Sequence, residues 1–271
     1  MRHRVSVLVV HEAGVGDPAS LCRALASGRR SVDQVVVVSP EPRPPDLDDL
    51  DLPLEWLEVA TEARGGLSLA RARNAAADRA RGDVLVFLDA DCVPAPSFVR
   101  EVVEALARRE CVVMGTTVHR RPRSAASALA AEVPRPILAP HQRQRLLEPE
   151  AFDATCFGIS REAFLGVGGF EGAYRARGGE DVDFACKCRM VGLPLWQIGA
   201  RCFVGASGAP SPPRPPLQDL MHNASLFQAR WGRFPESDWL RELVVSGRVQ
   251  LSRGRIERAG KRLGRAEAAT R

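Results

Sequence analysis

The chain has 271 residues, of which 45% are hydrophobic and 26% charged, which suits one large α/β domain with at most an extension. No stretch approaches the roughly 18 apolar residues that span a membrane, and the N-terminus enters a strand-like run with no separate signal-peptide regions, so a soluble, cytoplasmic protein is expected. The net charge of +5 is uneven: residues 247–271 hold eight basic residues against Glu257 and Glu267, a surplus of six, which leaves residues 1–246 at −1.

Nearly all the basic residues are Arg, with Lys only at 187 and 261. This is a composition bias, and no nucleic-acid partner is inferred from it. The seven cysteines are spaced in no disulfide or zinc framework and read as small core residues in a reducing compartment. Cys186 and Cys188 fall on a predicted helix, where residues two apart face different ways.

In chain order, Val5–Val10 is a run of β-branched and apolar residues and reads as the first strand, stopped by the polar turn His11-Glu12-Ala13-Gly14. Asp17-Pro18 starts a short helix through Leu21, Leu25 and Ala26, closed by Gly28. Val35–Val38 is a second buried strand ended by Ser39-Pro40, and Leu54–Val59 is a third. Gly65-Gly66 opens a helix, Ala70 to Ala80 is nearly all Ala and Arg, and Gly82 stops it. Val84–Leu88 is a short apolar run, read as a strand buried on both faces. Phe98, Val102, Val103 and Leu106 mark a helix face, and Cys111–Thr117 is a further strand. The order β-α-β-β-α-β-α-β predicts a Rossmann-like, mostly parallel sheet with helices on both faces.

From Arg120 to Gln144 the chain is basic and broken by proline, and reads as a loop. Thr155–Ser160 is a strand, Arg161–Gly166 a helical turn, and a helix follows Gly178-Gly179, with Phe184, Cys188 and Val191 on its apolar face and Gly192 at its end. Leu195–Ile198 and Arg201–Val204 are two short strand-like pieces, and Ser207–Pro216 a proline-rich linker. A helix through Leu217, Leu220, Met221, Ala224 and Phe227 ends near Trp231-Gly232. Residues 1–240 form the predicted domain and 241–271 a basic C-terminal extension, either a solvated face or a peripheral contact with anionic lipid.

Two acidic clusters carry the chemistry. Asp89 and Asp91 stand where a strand meets its turn; spaced i, i+2 on an extended segment, both can face one pocket and hold a divalent cation against phosphate oxygens. The plainer reading is a strand followed by an Asp-capped turn. Glu180, Asp181 and Asp183 occupy a helix's first turn, either as dipole-favoured caps or as site residues. In parallel sheets ligands bind beyond the carboxyl ends of the strands, where His11, Glu12, Ser39, Asp89 and Asp91 fall.

In order along the chain, the first strand, Ala72-Arg73-Asn74, Asp89-Ala90-Asp91 and Gly178-Gly179-Glu180-Asp181 resemble the family 2 glycosyltransferases of GT-A fold, the last of these a galactosyltransferase-like C-terminal region. Asn223, Phe227, Arg230-Trp231-Gly232 and Trp239-Leu240 are similar to bacterial members of that group. The resemblance implies inverting sugar transfer from a nucleotide-diphosphate donor, commonly a UDP-sugar, to an acceptor that the sequence does not specify. It implies Asp91 on Mn²⁺ or Mg²⁺, Asp89 near the donor ribose, and Ala90 and Gly179 lining the donor site. Arg73 and Asn74 would lie on the donor side, His11, Glu12 and Ser39 in the nucleotide loop, Asp181 would be the general base and Glu180 its positioning neighbour.

The sequence departs from that pattern at two points. Ser39 stands where the family places an acid, and no histidine occurs between His141 and His222 to complete the metal site. The alternatives are a catalytically weak or inactive nucleotide-binding partner protein and, third, a nucleotidyltransferase, although the loop after the first strand lacks Lys and Arg. His222 is read as a packing residue.

Overall fold

The computed structural model describes residues 3–61, 66–119, 136–205, 214–252 and 254–259. Most of the expected loop from Arg120, most of the 207–216 linker, Gly65, and Arg253, Lys261, Arg262, Arg265 and Arg271 of the tail lie outside the described residues.

The elements are β1 (Val5–Val10), α1 (Pro18–Ala26), β2 (Gln34–Ser39), β3 (Leu54–Glu58), α2 (Leu69–Arg79), β4 (Val84–Asp89), β5 (Cys92–Pro94), α3 (Phe98–Leu106), β6 (Val112–His119), β7 (Arg143–Leu146), β8 (Cys156–Ser160), α4 (Arg161–Val167), α5 (Glu180–Met190), β9 (Leu195–Val204), α6 (Leu217–Trp231), α7 (Asp238–Val245), β10 (Val249–Ser252) and β11 (Arg255–Arg258). One nine-stranded sheet has the order β3-β2-β1-β4-β8-β6-β9-β5, with β7 also on β9. Its strands β3, β2, β1, β4, β6 and β9 run one way, and β5, β7 and β8 the other. The mostly parallel α/β architecture is therefore the one expected.

The period-2 alternation of each central strand sends its side chains to opposite faces. Leu8, Val36, Val38, Leu85 and Phe87 pack with α2, α4 and α5 on one face. Val7, Val9, Val35, Val37, Val86 and Leu88 pack with α1 and α3 on the other. The first face holds a cluster of phenylalanines: Phe87 stacks on Phe157 at 4.5 Å and Phe170 on Phe184 at 4.5 Å between ring centroids. This cluster joins β4 and β8 to the start of α5, and so joins the two acidic segments.

Several elements differ from expectation. The two pieces 195–198 and 201–204 are one ten-residue strand, β9, with a register shift opposite Gly115. The bulge needs glycine at 199, because a Cβ there would lie 2.0 Å from the Ala139 carbonyl oxygen. β5 and β7 are short strands held by pairing with β9, and Arg143–Leu146 lacks the alternation that marks a strand. Val191 is the C-cap of α5 and is 60% exposed, so it does not extend the apolar face. The boundary expected after 240 falls within α7, and Leu243, Val249 and Ile256 share a core with Leu220, Ala224 and Leu240.

The carboxyl ends of β1, β2 and β4 are level, since Val10 is in register with both Val38 and Asp89. The loop after β1 lies directly on the turn after β4. Gly16, at φ +79°, permits this: a Cβ there would sit 2.4 Å from the Asp91 amide nitrogen and 2.6 Å from the Ala90 carbonyl oxygen. Gly14 has a similar φ of +68° with nothing within 4 Å of a Cβ. Gly14→Ala is therefore expected to lose about 1 kcal/mol from the backbone conformation alone, and Gly16→Ala clearly more. Equal losses in urea unfolding would show that the close approach carries no weight.

Candidate functional site

The strand of β4 ends at Asp89, and Ala90 and Asp91 make the turn into β5. Four backbone hydrogen bonds fix this turn: Asp89 N to Thr155 O (2.9 Å), Ala90 N to Val10 O (2.9 Å), Asp17 N to Ala90 O (3.1 Å) and Gly205 N to Asp91 O (3.1 Å). Ala90 thus contributes backbone links to the neighbouring strand and loop.

Arg73 projects from α2 and connects the acidic clusters. Its guanidinium donates to Asp89 Oδ1 at 3.0 Å and to Glu180 Oε1 at 3.4 Å, and lies 5.3 Å from the centre of the Phe170 ring. The Arg73 side chain is only 3% exposed. The other Glu180 oxygen accepts the Gly178 amide at 2.6 Å. Gly178 and Gly179 have φ of +117° and +100°, so glycine is required there to turn the chain into α5. Asp181 follows, half-buried, with Oδ1 accepting the Val182 amide at 2.8 Å.

Asp153, just before β8, was not singled out from the sequence. Its charge adds to the rise of Asp89, Asp91 and Asp181 alike. Burial pushes the Asp89 carboxyl up to about 8, with Arg73 pulling it down and Asp91 and Asp153 adding to the rise. Burial and Asp153 also raise Asp91, while His119 draws it down. Asp181 is pushed up to about 7 by burial, then by Glu180 and Asp153. The space between these groups is short of positive charge.

That donor set fits a hard or borderline divalent cation. Asp89 is engaged by Arg73, which leaves Asp91 as the principal oxygen ligand. His119, at the end of β6, is in register with Val204, the residue before the glycine whose amide donates to the Asp91 carbonyl. Carboxylate oxygen with imidazole nitrogen suits Mn²⁺ as well as Mg²⁺ with water.

The loop after β1 is also built differently from expectation. Ser39 Oγ accepts the Glu41 amide and bonds His11 Nδ1, each at 2.9 Å, so it orients two neighbours. Glu41 brings a carboxylate to 3.8 Å from His11 Nε2 and accepts the Gly14 amide, supplying two residues later the acid that position 39 lacks. Burial lowers the His11 pKa despite Glu41 and Asp17, which favours the neutral ring. Glu12 is paired with Arg177, a residue of the turn before α5. A cavity of about 510 Å³ at the ends of β2 and β3 is lined by Pro40, Glu58, Val59, Ala60 and Thr61.

Asn74 does not join the donor side. Its amide donates to the Phe170 carbonyl at 2.8 Å and accepts the Phe170 amide at 2.9 Å, tying α2 to the turn below Arg73.

Residues 58–167 match the family model described as glycosyl transferase family 2. Among solved structures, the chain is similar to S. aureus TarS 1-349, with a TM-score of 0.59 and 13% identity over 89% of this chain and 69% of that one. It is also similar to GalNAc-T7 (TM-score 0.54, 17% identity, 74% of this chain and 44% of that one). The mannosyltransferase PcManGT from Pyrobaculum calidifontis gives a TM-score of 0.52 and 22% identity over 87% of this chain and 66% of that one. The chain has a GT-A fold, and its central segment is similar to the family 2 glycosyl transferases. A search of curated protein sequences returns no significant match. Among the described residues, no helix is long and apolar enough to cross a membrane.

In this GT-A chain the helix α6 secures the acidic turn. Asn223 accepts the Arg175 amide at 2.9 Å and donates to the Arg175 carbonyl at 2.8 Å. Asp183, fully buried, accepts from Arg230 Nε and Trp231 Nε1, each at 2.7 Å. His222 binds the Ala173 carbonyl at 3.1 Å, a packing role as read from the sequence. Asp183→Ala leaves these donors without their acceptor and is expected to cost about 3 kcal/mol, measured by denaturant unfolding; a loss within experimental error of zero would contradict the role given to Asp183.

Proposed function

We propose that the chain transfers a sugar from a nucleoside-diphosphate donor, a UDP-sugar, to an acceptor nucleophile with inversion at the sugar carbon. The observation that carries this reading is the Asp89–Arg73–Glu180 bridge, which links the end of β4, where Asp89 leads into Asp91, to the acidic turn at the start of α5. Solved relatives in fold support the donor class: TarS 1-349 is known with UDP and with UDP-GlcNAc, GalNAc-T7 with UDP, GalNAc and Mn²⁺, and PcManGT with GDP-Man and Mn²⁺.

Asp91 and His119 would hold the divalent cation, with Asp153 alongside. When bound, the cation supplies positive charge against the negative charge that develops on the departing diphosphate. His11, held by Ser39 and Glu41, lines the nucleotide end. Arg177 lies between the nucleotide loop and the acidic turn, where it can exchange Glu12 for an anionic donor. Arg73 keeps Asp89 in place and orients Glu180. Asp181 removes the acceptor proton, and its elevated pKa suits a base that works near neutral pH.

In a UDP-release assay with Mn²⁺ and a panel of UDP-sugars, Asp181→Asn is expected to lower kcat by about 10²–10⁴ while calorimetric UDP affinity stays unchanged. The base acts deprotonated, so the parent rate should rise with pH through about 7 and level off above it, with a bound cation moving the rise lower. A rate that Asp181→Asn leaves intact excludes Asp181 as the base. UDP binding with no turnover on any donor would favour the partner-protein reading. His119→Ala should weaken Mn²⁺ binding by about tenfold or more, followed by the paramagnetic signal of free Mn²⁺; unchanged affinity would remove His119 from the site.

A further inference from the structure

Directly beneath the Asp91 turn, three cysteines from three different strands meet: Cys92 on β5, Cys156 on β8 and Cys202 on β9. Their sulfurs all lie within 4.8 Å of one another, and none of the three residues has any exposed surface. Strand pairing brings them together, with Cys92 in register with Val204, Pro94 with Cys202, and Cys156 with Leu88 one residue before Asp89. All three are free thiols. We propose that Cys92, Cys156 and Cys202 form a buried three-thiolate site for a thiophilic divalent cation of the Zn²⁺ class, which ties the edge strand β5, and with it the Asp91 turn, to β8 and β9.

A Zn–S bond of about 2.3 Å places the sulfurs of one shell about 3.8–4.0 Å apart. The observed triangle closes to that size with small side-chain movements. Interaction with the other two thiols lowers the pKa of Cys156 against the effect of its burial, in keeping with the close sulfur triangle. Binding releases the thiol protons and leaves one net negative charge for a divalent ion on three thiolates, against two for a monovalent ion, which favours the divalent class in a buried position. Soft sulfur ligands separate this site from the oxygen ligands at Asp91, so the two sites, adjacent in the chain at residues 91 and 92, take different metals. β5 lies at the end of the sheet, where the ion can enter by local opening or during folding. The other four cysteines are buried but belong to no such group among the described residues.

The test is a Cd²⁺ titration of the reduced full-length chain, reading thiolate-to-cadmium charge-transfer absorption together with melting temperature. One equivalent should saturate the band and raise the melting temperature. The band should persist in Asp91→Asn, which separates this site from the donor metal. It should be lost in Cys156→Ala and in Cys202→Ala, both checked for native circular dichroism. No band at one equivalent, a band undiminished in both cysteine variants, or a band abolished by Asp91→Asn would each overturn the proposal.

Discussion

The structure depends on one buried cation. Arg73 is almost fully enclosed, and its guanidinium is the positive charge between Asp89 at the end of β4 and Glu180 at the start of α5. Residues 107 positions apart are thereby held at one point. Without this charge, two buried carboxylates would face a region that already contains Asp91, Asp153 and Asp181. The usual cost of burying an unpaired charge makes this arrangement exacting: every member needs its partner, so the geometry of the cleft is closely specified. The phenylalanine cluster below Arg73 excludes water and strengthens the bridge.

Around that bridge the chain places supports that touch no reacting group. Asn74 fixes the turn below Arg73, Asn223 grips the segment leading to Gly178, and Asp183 anchors α5 to Arg230 and Trp231. Gly16 lets the loop after β1 rest on the Ala90–Asp91 backbone. The C-terminal residues that carried the sequence resemblance thus have a physical task, holding the acidic turn toward the cleft. The described part of the presumed tail shares their core, since Val249 and Ile256 pack with Leu220 and Ala224 of α6.

What was legible in the sequence was local. Val5–Val10, Val84–Leu88 and the Ala-rich helix before Gly82 announce themselves because burial on both faces or a strong helix preference needs no distant partner. Strands such as Arg143–Leu146 and Val249–Ser252 gain their stability from pairing, and their polar composition hides them. β9 read as two pieces because a bulge and a strand end can use the same residue, here Gly199. Part of the proposed site was legible: Asp89, Asp91 and Asp181 read as acids at element ends, and the charge of Asp153 adds to the rise of all three. Asp153, Glu41 and His119 were missed because strand order, rather than spacing along the chain, brings them in. Glu41 alone had a readable signal, an acid two residues past the position expected to carry one. The cysteine trio was invisible for the same reason, its members lying on strands whose adjacency no spacing encodes. Asn74 turns out to bond the backbone of Phe170, a partner that spacing along the chain does not reveal.

The most direct test of the account is a thermodynamic cycle on Arg73. Arg73→Met keeps the packing and removes the charge, and denaturant unfolding at neutral pH should show a loss of about 3–5 kcal/mol. Adding Asp89→Asn and Glu180→Gln removes the stranded carboxylates and should restore a large part of that loss. An Arg73→Met protein as stable as the parent, or one that the two further substitutions do not rescue, would show that the guanidinium does not hold the two acidic segments together.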